Sequence, residues 1–290
     1  MARLFLCGGL QSSGSTLVSW CFLQRGDMDG VLDARFDMLP SMPAVKTNAW
    51  CKFTIACFRF KEVMANFQDE GWSVTPFLVV RDVRSVFNSL ITKNYGRNGT
   101  TADDPPLRMR LRRFKEDWEM FRENGWPVLR FESLLSDGQR PLETACQQMG
   151  IAWDQGMVSW RKDVSQIAAV AGHSNETFIR NRKGSLADSI DPTHLSVRTD
   201  KVPLLDLEWM EQEFAELNTA MGYPQHVPPQ GPHGADRALP TFEVTRRYKR
   251  IARQRPVIKL FRRLFGAPLL NAKEIAKATG IPANAGHNTD

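Results

Sequence analysis

Five consecutive small residues, Ser12-Ser13-Gly14-Ser15-Thr16, follow the apolar run Leu4-Phe5-Leu6-Cys7 and the pair Gly8-Gly9. Hydroxyls and glycine gathered in this way suit the holding of an anion. The apolar run has strand length, the glycines permit a tight turn, and Thr16 to Phe22 reads as the start of a helix. Backbone N–H groups at such a helix start have no intrahelical partner and can be taken by phosphate. The spacing Gly9-x-x-x-x-Gly14 is that of a phosphate-binding loop, yet Ser15 and Thr16 stand where a nucleoside triphosphatase has Lys and Ser/Thr. Without a lysine to reach the β and γ phosphates, a nucleotide with fewer charges on its 5′ side is favoured over a triphosphate. Taken alone, the stretch also reads as an ordinary Gly/Ser turn.

Cations at three other places could join that chemistry. Arg81 closes the buried strand pattern Pro76-Phe77-Leu78-Val79-Val80, Asp82 follows as a helix N-cap, and Ser89 lies on the same helix eight positions after Arg81. A guanidinium gives paired donors to phosphate, although Arg81 could instead pair with a nearby carboxylate. Lys52 interrupts an apolar strand at 49–55, and Lys46 precedes that strand. A lysine near the C-terminal end of a parallel strand points toward the ligand crevice of an α/β sheet, whereas one on an edge strand is merely solvated. Arg182, Lys183 and Gly184 make two cations before a flexible residue, a loop that can close on an anion or stand in water. Asp27, Asp29, Asp33 and Asp37 read as a surface connection, where a carboxylate beside the loop would have the chemistry of a general base.

In this order the motifs resemble those of the sulfotransferases that use 3′-phosphoadenylyl sulfate (PAPS), over residues 3 to 223. The resemblance implies that Ser12, Ser13, Gly14, Ser15 and Thr16 hold the 5′-phosphosulfate, and that Arg81, Ser89, Arg182, Lys183 and Gly184 hold the 3′-phosphate. Phe131, in Phe131-Glu132-Ser133-Leu134, takes the place of the family's adenine-contacting tyrosine, keeping the stacking surface and losing the hydroxyl. Lys46-Thr47-Asn48 and Lys52-Phe53-Thr54 are two incomplete counterparts of the family's Lys-Thr-His, so the catalytic cation is Lys52 or Lys46 and the histidine base is absent. The chain departs further in having Ser12 where the family usually has Lys or Arg, and Ala187 and Ser189 around Asp188 where it has Gly and Trp. Implied with the resemblance are PAPS as cofactor, adenosine 3′,5′-bisphosphate as product, no metal, and a hydroxyl or amine acceptor. Two rivals stay open: a P-loop kinase of a small molecule, and a noncatalytic nucleotide-binding protein, which Ser12 and the missing histidine favour.

These residues need a scaffold that brings several strand ends together. The pattern of apolar strands alternating with helices predicts an α/β fold: a three-layer α/β/α domain, a mostly parallel sheet, the phosphate loop after the first strand, and a helical basic C-terminal tail. At 290 residues, 42% apolar and 24% charged, the chain can bury a full core. Further strands are expected at 126–132, and helices at 107–124, 139–149 and within 201–223. The domain then runs over 1–223, a Pro/Gly-rich linker over 224–240 and the tail over 241–290. The polar loop from Lys93 to Pro106 is long enough to serve the acceptor, with Tyr95, Arg97, Asp103 and Asp104 as contacts. Its polarity points to a carbohydrate or lipid-linked glycan as acceptor rather than a small phenol.

Five cysteines without CxxC spacing suit a reducing compartment, and five histidines that begin only at His173 make no metal cluster. No nucleic-acid partner is expected. Residues 246–263 carry nine Lys/Arg and no acid, against a whole-chain charge of +6, so the basicity belongs to the tail. Interleaved with Ile251, Leu260, Phe261 and Leu264, these cations make either an amphipathic segment that contacts an anionic membrane or a helix docked on the acidic domain. No apolar run approaches the roughly 18 residues of a membrane span, and the N-terminal run is short for a signal peptide, so the expected place is cytoplasmic, and membrane-peripheral as well in the first of those two readings of the tail.

Overall fold

A computed structural model describes residues 3–34, 48–55, 59–92, 107–162, 178, 181 and 183–226. Strand β1 (Arg3–Gly9) forms the middle of a five-stranded sheet with β2 (Met28–Ala34), β3 (Asn48–Thr54), β4 (Ser73–Val80) and β5 (Val128–Arg130), in the order β2-β3-β1-β4-β5. Every neighbouring pair is parallel. Side-chain alternation along the strands divides the core in two. Leu4, Leu6, Ala49, Cys51, Phe53, Leu78 and Val80 face one side, and Phe5, Cys7, Trp50, Phe77, Val79 and Leu129 the other. Both sets are buried, which is why the strands read as continuous apolar runs.

The first face is covered by α2 (Phe60–Asp69), α3 (Val83–Thr92), α4 (Leu107–Glu123), α9 (Leu204–Glu213) and α10 (Ala215–Ala220). The second carries α1 (Ser15–Leu23), α5 (Phe131–Asp137), α6 (Gln139–Gln148) and α7 (Gly156–Ser159), joined by Leu186 of the short α8 (Leu186–Ser189). This is the three-layer arrangement that the sequence predicts. On the second face Phe22 of α1 stacks on Trp50 at 4.3 Å with the rings 8° from parallel. The four described cysteines, Cys7, Cys21, Cys51 and Cys146, are buried and free, packing as apolar groups.

Three stretches differ from the sequence reading. Residues 28–34, read as part of a surface connection, form edge strand β2, because Met28, Val31 and Leu32 are fully buried between the acids. The strand expected at 126–132 is short, and the chain turns into α5 at Phe131. The expected last core helix divides into α9 and α10 at Phe214, which packs in the first core. Of the expected linker only 224–226 is described, and the tail at 241–290 lies outside the described residues.

Candidate functional site

Parallel strands place the ends of β1, β3, β4 and β5 along one edge of the sheet, where the crevice of an open α/β fold lies. The loop after β1 is shaped by what its glycines exclude. A Cβ at Gly8 would lie 2.7 Å from the Phe60 ring, and one at Gly9 would lie 2.7 Å from Ser13 Oγ. Ser12 is left-handed at φ 63°, and Gly14, the N-cap of α1, at φ 82°. Gly14 offers no side chain to cap the helix, leaving its first-turn N–H groups to the loop. The Phe131 ring occupies the space beside Gly14, where a Cβ would meet its Cδ2 and Cε2 at 2.1 Å. Ser13 Oγ is buried with no hydrogen-bond partner.

On one flank of the loop stands Lys52. Alternation puts it on the face of Trp50, toward α1, and its Nζ donates to Thr16 Oγ1 at 3.4 Å, Thr54 Oγ1 at 3.3 Å and Asp33 Oδ1 at 2.7 Å. Asp33 arrives there through an irregularity in β2. Val31 pairs with Cys51 and Ala34 with Phe53, so Leu32 and Asp33 together stand opposite Lys52. The extra residue lets Leu32 stay in the core while the carboxylate reaches the ammonium, the re-aiming that bulges provide. Lys52 and Asp33 are a nearly dry ion pair, their side chains 4% and 13% exposed. Cys7, the partner of Lys52 in β1, is held as a thiol, burial pushing it up to about 12, so it has no thiolate with which to attack.

On the other flank Arg81 leaves the end of β4. Its Nη1 donates to Ser12 O at 2.9 Å, its guanidinium lies 5.3 Å from the Phe131 ring centroid, and its Nε is buried without a partner. Burial lowers the guanidinium from its ordinary value, opposed first by the nearby Glu132, and it remains a cation. Asp82 caps α3 as the sequence predicts, accepting from Arg84 N at 2.9 Å, and also grips the Arg84 side chain at 2.9 and 2.5 Å.

The structure therefore brings Ser12, Ser13, Gly14, Ser15, Thr16, Lys52, Arg81 and Phe131 to one edge. Ser89 is half-buried one turn beyond Ser85, whose hydroxyl accepts from Arg198 N at 3.1 Å. Lys183 and Gly184 are exposed just before α8. Lys46, Arg182 and the loop 93–106 with Tyr95, Arg97, Asp103 and Asp104 lie outside the described residues. Two contacts were not singled out from the sequence: Arg110 of α4 donates to Gln11 in the loop, and Glu132 accepts from Asp82 N. Asp33 carried one signal, a lone charge inside Val31-Leu32-Asp33-Ala34. Among the described residues no cluster of three or more His, Cys, Asp or Glu could hold a metal, and no helix is long and apolar enough to cross a membrane.

Two solved structures share this architecture. A sulfotransferase domain from the curacin biosynthetic pathway is 10% identical with a TM-score of 0.56, over 78% of this chain and 99% of that one. A sulfotransferase domain from the Synechococcus PCC 7002 olefin synthase is 10% identical with a TM-score of 0.51, over 74% of this chain and 94% of that one. No family profile and no curated protein matches the sequence. The fold is that of sulfotransferase domains.

Proposed function

We propose that this chain transfers a sulfuryl group from PAPS to a hydroxyl or amine, and that the acceptor is a carbohydrate or lipid-linked glycan. The observation that carries the reading is a pair of buried, unpartnered polar atoms, Ser13 Oγ and Arg81 Nε, in residues flanking the Gly14–Phe131 contact. Buried polar atoms are rarely left unpaired in a folded protein, and a ligand with two separated anionic groups completes both. Ser13 and the first turn of α1 suit the 5′ side, while Arg81 suits a phosphomonoester.

When bound, PAPS supplies a sulfuryl group whose bond to the 5′-phosphate oxygen breaks as the acceptor attacks sulfur, the electron pair leaving with the phosphate. Lys52, already in reach of Thr16, places a cation beside the leaving oxygen and takes the role that Ser12 cannot fill. Asp33, which accepts from Lys52 Nζ, takes the proton of the acceptor O–H or N–H and later gives it to water.

The test is incubation with PAPS carrying labelled sulfur, together with a panel of sugars and lipid-linked glycans. Labelled acceptor and equimolar adenosine 3′,5′-bisphosphate are expected, with loss of both in Arg81→Ala. Tight bisphosphate binding with no transfer across the panel would make the protein a nucleotide-binding module. Magnesium-dependent ATP turnover would make it a kinase.

A further inference from the structure

The end of β4, from which Arg81 projects, is held by residues that belong to neither phosphate loop. Glu132 is buried in the first turn of α5, and its Oε1 accepts from Asp82 N at 3.0 Å, fixing the peptide that follows Arg81. Its Oε2 accepts from Tyr223 OH at 2.8 Å, and Arg130 Nε stands 3.7 Å from the same oxygen. Arg130 also lies over the Tyr223 ring, 4.5 Å from its centroid. Burial, then Glu132, raises the Tyr223 phenol far above its usual range, so it stays an O–H donor. Next to it Pro224 O accepts from Arg84 Nη1 at 2.9 Å, so 223–224 grips both sides of Asp82. Phe131, the residue before Glu132, is the ring that touches Gly14 and lies against Arg81. One helical turn thus bears on the β1 loop through Phe131 and on the end of β4 through Glu132.

We infer that Glu132 and Tyr223 are positioning residues for Arg81. Tyr223 locks the Glu132 carboxylate, the carboxylate locks the Asp82 peptide, and the guanidinium is thereby set to receive a phosphomonoester. The lock rests on the nucleotide reading for what Arg81 binds, but its geometry is independent of that reading. A carboxylate oxygen without the tyrosine can rotate toward Arg130 or toward Arg81 itself, and in the second case it competes with the phosphate for the same donors.

Three variants separate this from plain structural support. Tyr223→Phe removes one hydroxyl and Glu132→Leu removes both acceptor oxygens. Glu132→Gln keeps an oxygen for Asp82 N–H and an amide that donates to Tyr223, so it preserves the geometry without the charge. The measurement is the ratio of affinities for adenosine 3′,5′-bisphosphate and AMP by calorimetry, well below the melting temperature. The ratio should fall about tenfold in Tyr223→Phe and Glu132→Leu, as loss of one well-placed hydrogen bond implies, and should hold in Glu132→Gln. Hydrogen exchange at the Asp82 amide should quicken in Tyr223→Phe with no nucleotide present.

A wild-type ratio in Tyr223→Phe with Asp82 exchange unchanged overturns the lock, as does a parallel loss of both affinities. If the wild type binds neither nucleotide, the nucleotide reading fails, and the exchange rate at Asp82 still decides whether the lock holds the strand end.

Discussion

Replacing Gly14 with alanine tests the shape of the loop, because two separate costs meet at one atom. Gly14 sits at φ 82°, a left-handed conformation that costs an L-residue about 1–2 kcal/mol. The added Cβ would also lie 2.1 Å from two carbons of the Phe131 ring. Ordinary carbon contact begins near 3.5 Å, so the ring must retreat by roughly 1.5 Å. Phe131 is 5% exposed, with the Arg81 guanidinium on its face, and overpacking of this kind costs about 1–3 kcal/mol. Gly14→Ala should therefore destabilise the fold by about 2–5 kcal/mol, read by guanidinium denaturation, and should weaken binding of adenosine 3′,5′-bisphosphate in calorimetry. In a Phe131→Ala background only the backbone cost of about 1–2 kcal/mol remains. A penalty under about 0.5 kcal/mol for Gly14→Ala, far below the backbone cost alone, or the same penalty in both backgrounds, would refute the reasoning.

Arg81→Ala should weaken adenosine 3′,5′-bisphosphate by about 2–4 kcal/mol and leave AMP nearly unchanged, since only the first ligand has a phosphomonoester for the guanidinium; equal losses would place Arg81 elsewhere. Lys52→Ala should slow single-turnover transfer about 10²-fold with bisphosphate affinity retained, and Asp33→Asn should slow it in the same assay, because an amide cannot take up the acceptor's proton. A Lys52→Ala variant at wild-type speed would return the catalytic role to Lys46. Stability should fall as pH rises toward neutrality because of Asp117, a buried carboxyl that accepts Phe60 N–H at 3.0 Å on both oxygens beside Glu116, Arg59 and Glu62. Burial raises it from 3.8 to about 7, so the native state holds a proton that the unfolded chain has released. Its contribution is full below 3.8 and gone above about 7, and Asp117→Asn should flatten denaturation midpoints over that window.

What could be read from the sequence was what is encoded locally. The run from Leu4 through Gly14 to Phe22 carries its own strand, turn and helix, and the step from Val80 through Arg81 to the capping Asp82 is equally self-contained. Asp33 was visible as a carboxylate near the loop but not as the partner of Lys52, since simple alternation along 28–34 assigns it to the wrong face. The bulge opposite Lys52 corrects that, and nothing in the residue types announces it. Phe131 was recognised as an aromatic of the site, yet its contact with Gly14 depends on the chain turning into a helix immediately after β5. Tyr223 read only as the end of a helix, because its role is fixed by Glu132, a residue distant in the chain.

The grip of residues 211–224 on the end of β4 also sets an order of assembly. A ribosome releases the phosphate loop first, then β4 with Arg81, then Glu132, and only much later Glu211, Tyr223 and Pro224. Until these emerge, Arg84 lacks Glu211 and Pro224 O among its partners, and Glu132 lacks its phenol. A nascent chain stopped near residue 200 would have the five described strands and the loop, yet its buried charges at Arg84 and Glu132 would be only half satisfied. Nucleotide capture by such a chain should be poor and chaperone contact prolonged, so a site built from early residues becomes competent only when Tyr223 and Pro224 have docked.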